Sequence, residues 1–325
     1  MIRIRALAMS CCIALSFAAG NVAAKDRTGA IVIRAGKTDN PTHALARQFA
    51  GAVAVNGAYT LDVQESQGSV QNVIDALTAP RDFIFAASSD LIAAARRGRK
   101  PFSPDRRYRE IRALVPMPAL TVQWVVRQDG DVKMLSDLAG RSFIAGPRGS
   151  VSERLTTAAL QVMGIDRQVQ MIDIVDPAAA AAALKAKQVS GFALAGAYPV
   201  PTLEALARAV PIRLLGLRQP ALGQVLAADS SIAAEILPKG TYPGVDADVT
   251  TLAIPDGLYT TTRMPAATAY RITKAFWTQR AALIARHPPW QAVSFATLAT
   301  LGVRLHAGAL RYYREVGAKV PRALR

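Results

Sequence analysis

Five turns in this chain share one chemical pattern: an apolar run ends in small residues, and a run with helical periodicity begins at once. They are residues 36–40, Gly68-Ser69, Ser88-Ser89-Asp90, residues 146–150 and Ala195-Gly196. A helix start leaves backbone N–H groups unpaired and carries the positive end of the helix dipole. Several such starts facing one gap can hold an anion with no catalytic group at all. The sharpest case is Gly146-Pro147-Arg148-Gly149-Ser150, where Ser150 and Glu153 have capping-box spacing. An Arg148 guanidinium there can grip a carboxylate through two hydrogen bonds, or it can be a solvated arginine on a plain turn; the residue types allow both. Lys37 and Thr38 occupy the first turn, and an exposed lysine is the competing reading there. Ser69, Ser88 and Ser89 can offer hydroxyls to a ligand or cap their helices, and Gly149 and Gly196 bring bare backbone close. Asp90 reads as a cap or a hydrogen-bond acceptor beside the gap. Trp124 is either a wall of the pocket or a core residue.

Catalytic groups are sparse. His43, His287 and His306 lie far apart in sequence, with no Cys, Asp or Glu partner at metal-ligand spacing. No Gly-x-Ser-x-Gly elbow, phosphate-binding loop or dinucleotide fingerprint occurs in its proper setting. The expectation is therefore a binding protein rather than an enzyme, with no cofactor and no metal.

The elements that must position these turns alternate along the chain. Strands are expected at residues 30–35, 59–65, 82–87, 142–145, 169–175, 191–195 and 211–217. Helices are expected from Pro41, with Asn40 as N-cap, to about residue 55, from Ser69 through Val70, Val73, Ile74 and Leu77, and from Ser88 to Gly98. Others run over residues 151–163, from Asp176-Pro177 to Lys187, from a Thr202 cap, and over 265–286, 289–301 and 306–317. Two long extended stretches, residues 111–127 and 251–259, stand out. Strand–helix alternation implies mainly parallel α/β sheets, whose ligands sit at the carboxyl edge.

Arg3 and Arg5 precede an apolar run, and Val22-Ala23-Ala24 offers small residues for cleavage, so residues 1–24 read as a removable export leader. Both cysteines, Cys11 and Cys12, lie in it, which leaves the exported chain without disulfides or thiolate chemistry. The net charge is +16. Export argues against nucleic acid as partner, so the positive balance points to an anionic ligand, an anionic surface or solubility. Residues 96–112 hold eight cations against Asp105 and Glu110, and a solvated face is the favoured reading, with docking on anionic lipid or an acidic partner as its rival.

Short segments in order resemble the TAXI class of solute receptors that serve tripartite ATP-independent periplasmic (TRAP) transporters. They are Gly68-Ser69-Val70-Gln71-Asn72, Ser88-Ser89-Asp90, Ile111-Arg112-Ala113-Leu114, Leu138-Ala139-Gly140-Arg141, residues 146–150, Gly240-Thr241-Tyr242-Pro243-Gly244 with Asp246, and His306-Ala307-Gly308 through Arg311-Tyr312-Tyr313-Arg314-Glu315. The resemblance implies a two-lobed, type II periplasmic-binding-protein-like α/β fold with two crossing strands and a cleft. Lobe I would hold residues 25–118 and 252–325, and lobe II residues 119–251. It further implies a monomer in the periplasm that takes a small anionic organic ligand, a carboxylate or amino acid, and hands it to membrane transporter subunits. The first turn, residues 36–43, and Val151-Ser152 depart from the family pattern at the presumed ligand site. A sensor-feeding module and an enzyme on the same fold are the alternatives.

Overall fold

The computed structural model describes residues 30–38, 41–55, 59–174, 176–229 and 231–325. The expected leader, with both cysteines, and the expected Asn40 cap lie outside them. The first body starts with β1 (Ile31–Arg34), α1 (Pro41–Ala54), β2 (Leu61–Gln64), α2 (Ser69–Asp75), β3 (Phe83–Ser88) and α3 (Ser89–Arg96). β1 pairs in parallel with β2 and with β3, so the three carboxyl ends and the turns after them share one sheet edge. A 3₁₀ turn at Arg106–Glu110 then leads into β4 (Ile111–Arg127), which begins and ends where the apolar run does.

The second body follows with β5 (Ser142–Ile144), α4 (Val151–Val162), β6 (Gln170–Met171), α5 (Pro177–Lys185), β7 (Gly191–Gly196), α6 (Pro201–Ala209), β8 (Ile212–Leu215), α7 (Ala221–Ala228) and β9 (Ala233–Leu237). β10 (Val249–Thr261) returns the chain to the first body, where α8 (Ala266–Arg286) and α9 (Ala307–Glu315) complete it. The sheet path is β2-β1-β3-β10-β4-β7-β5-β6, with β8 also on β4 and β9 also on β10.

β4 and β10 run antiparallel and belong to both bodies. Near their middles lie Pro116, Pro118 and Pro255, and the register slips between Ile254 and Asp256. Proline has no N–H for the ladder, so pairing loosens where the strands cross. The apolar interior divides at the same place. One core gathers residues 31–117 and 258–324, including Phe49, Phe85, Tyr259, Phe276 and Trp290. Two others cover opposite faces of the second sheet: Val122, Trp124 and Val126 point to one, Val125 to the other. That is the two-residue alternation of a strand.

Several expected elements differ. The strand at 169–175 shortens to β6, an exposed edge with few partners. Residues 289–301 form two 3₁₀ turns, Pro288–Ala292 and Ala296–Leu301, because Arg280 Nε donates to Val293 O at 2.6 Å between them. The α6 cap is Val200, not Thr202, since Pro201 takes the first helical position. The capping box of α4 is half formed: Ser150 Oγ accepts from Glu153 N at 3.2 Å, while Glu153 turns to Gly149 N instead.

Candidate functional site

The second body mirrors the first. β5 and β7 run parallel, and β7 and β8 each run antiparallel to β4, so their carboxyl ends point back toward the crossing. Gly196 ends β7 opposite Thr121 of β4, at the crossing itself. The turn before α4 is a compact unit. Gly146 has φ +101°, and a Cβ there would come within 2.1 Å of Ser152 Oγ, which in turn lies 2.9 Å from Ser150 Oγ. Only glycine allows that close approach.

The two bodies meet at the starts of α3 and α4. Arg154, in the first turn of α4, places Nη1 3.3 Å from Asp90 Oδ2 in the first turn of α3 and 3.8 Å from Asp229 Oδ2 behind α7. A cation at the positive end of a helix is unfavourable by itself, so Arg154 sits there because carboxylates from both sides face it. Asp90 Oδ1 is buried with no hydrogen-bond partner among the described residues. A third helix start joins them. Thr42 of α1 donates its hydroxyl to Asp256 Oδ2 at 3.3 Å, and Asp256 Oδ1 accepts from Gly257 N at 2.8 Å. Asp256 is 3% exposed and sits beside the register slip of β10. Burial pushes its carboxyl up to about 7, and the nearby charge of Asp90 adds to that rise.

The expected residues distribute unevenly around this meeting point. Ser88 and Ser89 immediately precede Asp90, and the Ser88 side chain does not cap α3. Gly149 and Ser150 begin the turn of α4 that carries Arg154. Lys37 and Thr38 are exposed and line an open pocket of about 530 Å³ at the carboxyl edge of β1 and β2, with Arg34, Glu65, Ser66 and Gln71. The backbone there is fixed by Gly36 N donating to Ser66 Oγ at 2.8 Å and Thr38 N to Glu65 Oε1 at 3.0 Å. Ser69 is the first residue of α2, behind an N-cap Gly68 at φ +114° that makes no side-chain cap bond. Arg148 does not reach toward Asp90: its side chain is 87% exposed and faces Asp173 at 3.9 Å. Trp124 is not a wall of the gap but a core residue, fully enclosed, with Nε1 donating to Thr156 Oγ1 at 2.9 Å. The alternation of β4 sends it inward.

His43 is buried with Nδ1 3.2 Å from Gly36 O, and His306 accepts from Gly308 N as the cap of α9. Both histidines thus have structural roles. The residues that sequence reading missed are Arg154, Asp229, Thr42 and Asp256. Asp256 left a trace, as one acid inside a long apolar strand; Arg154 left another, as a cation in a first helical turn.

Known structures share this fold. A TctC solute-binding protein from Polaromonas superposes with a TM-score of 0.52 at 14% identity, over 83% of this chain and 87% of that one. MatC from Rhodopseudomonas palustris, with malate bound, gives 0.53 at 14% identity, over 89% and 96%. The fold is therefore the two-lobed α/β fold of periplasmic binding proteins. The family model described as NMT1-like matches residues 38–317. With a match over most of its length, this chain belongs to the NMT1-like family.

Proposed function

We propose that this protein is an exported, periplasmic solute receptor that closes around a small anionic metabolite and delivers it to a TRAP-type membrane transporter. The observation that carries this reading is the contact between Arg154 and Asp90, which brings helix starts from both bodies to one gap. A ligand carboxylate entering there would replace one of the two acids now facing Arg154 and meet the N–H groups of α3 and α4. Ser88, Ser89, Gly149, Ser150 and Gly196 lie on turns at the same edge and add hydrogen bonds, while Lys37, Thr38 and Ser69 serve the outer part of the gap. Arg148 lies on the rim and would join only on closure. Separate cores on either side of the crossing support a first lobe limit near residue 118 and a second one a few residues past 252, since Leu252 and Ile254 still pack in the second body's core. The malate held by the MatC neighbour is a carboxylate of the class proposed. Ligand release then follows from lobe opening, with no bond made or broken.

Native mass spectrometry of freshly purified protein tests this directly, followed by calorimetry with mono- and dicarboxylates and amino acids. The expected result is one acidic ligand per chain, recovered chemically unchanged. Loss of the idea would come from heat with no acid in the panel, or from a mass change in the ligand, which would mark an enzyme.

A further inference from the structure

The far pole of the first body carries a patch that the gap does not use. Arg96 ends α3, and the chain comes back through Arg109 into β4. Arg112 turns its guanidinium onto Arg109 O at 2.7 Å and Ile111 O at 2.9 Å. Ala113 N donates to Arg304 O at 3.0 Å, which sets Arg304 abreast of Arg112. Arg99 and Arg106 are exposed on the connection between α3 and β4. None of these six arginines makes an ion pair with a described carboxylate. The two acids nearby are engaged elsewhere, Asp105 with Arg107 at 2.7 Å and Glu110 with Arg263 at 3.9 Å. Partial burial holds Arg96 and Arg112 below the usual arginine range; the charges of Arg109 and Arg304 press Arg96 further, and those of Arg96 and Arg304 press Arg112, which Glu110 offsets in part.

Crowding like charges with so few counter-ions costs stability, so a surface that keeps them suits a partner that supplies the negative charge. We propose that this pole docks on a bilayer surface rich in anionic phospholipid. Composition distinguishes that from a protein partner. The exposed large apolar side chains among the described residues are Val55, Val70, Ile74, Met134, Met171, Ile236 and Val316, none of them in the segments that build this pole. A protein interface is anchored by buried aromatic and aliphatic groups, whereas a lipid headgroup layer needs only charge. The pole lies at the start of β4, about 23 Å by strand rise from the crossing near residue 119. Docking there leaves the gap between the lobes unobstructed, and it stands whether or not the gap holds a carboxylate.

Vesicle co-sedimentation of the exported chain decides it. Phosphatidylglycerol-containing vesicles should bind the protein at low salt, pure phosphatidylcholine should not, and about 0.5 M salt should release it as the screening length contracts. Arg99→Glu, Arg106→Glu, Arg109→Glu and Arg304→Glu together should weaken binding by about tenfold or more. A control of equal net charge on the second body, Arg167→Glu, Lys185→Glu, Arg218→Glu and Lys239→Glu, should bind as the parent does. Arg96 and Arg112 are left intact because they are part-buried; circular dichroism checks folding, and the four pole positions changed to Gln replace the Glu set if it misfolds. Absence of binding to phosphatidylglycerol, or equal weakening by the pole and control sets, would overturn the proposal.

Discussion

Arg154 and Asp256 each make a claim at the level of one side chain. Arg154 is 42% exposed where it faces Asp90 and Asp229, so solvent weakens those pairs. Arg154→Ala should therefore cost less than about 1 kcal/mol in urea unfolding. If the guanidinium meets a ligand carboxylate, the same change should weaken binding by about 1.5–3 kcal/mol, the scale of a charged hydrogen bond. Calorimetry and urea melts on one variant separate the two; equal small effects would confine Arg154 to a structural role. Asp256 gives a pH signature. The unfolded chain releases this proton near the ordinary value of 3.8, while the folded chain holds it to about 7. Stability from the neutral carboxyl is thus complete below 3.8 and drains away as pH rises toward 7. Asp256→Asn escapes that loss. Its stability relative to the parent should climb between pH 4 and 7 by about 4 kcal/mol and then level off. A difference independent of pH would mean that Asp256 is ionised throughout.

Packing between elements sets a second kind of constraint. Gly308 opens α9 where it crosses α8, and a Cβ there would come within 2.0 Å of Ala266 O and 2.7 Å of Tyr270 N. Those are backbone atoms and cannot rotate away. Gly308→Ala should cost about 3 kcal/mol or more, seen as a lowered urea midpoint. Ser150→Ala removes the cap of α4 and should cost about 1 kcal/mol, because the Glu153 N–H loses its acceptor. What the sequence disclosed follows the same division. β4 was legible to its end residues, since its long, nearly continuous apolar run is a local property, and so were the caps of α4 and α5. α7 and β9 were missed because their short segments carry weak periodicity and are settled by contact with α4 and β10. The turns of the site could be read for the same local reason. The pairing of Asp90 with Arg154 could not, because those residues lie 64 positions apart and meet only through the crossing strands.

At the scale of the molecule, cores on either side of β4 and β10 are joined by those two strands and by side-chain contacts at the gap. The strand pairing is interrupted at the crossing, so it transmits little of either core's stability to the other. Without ligand, the bodies should melt in two overlapping calorimetric transitions. A ligand gripped by α3 from one side and α4 from the other binds only when both are folded, and it therefore couples them. At about 100 times its dissociation constant it should add about 2.7 kcal/mol and merge the two transitions into one. Arg154→Ala should undo the merging even at saturating ligand, because the grip from the α4 side is then missing. A ligand that raised only one transition would sit on one body, and closure around it would have no thermodynamic basis.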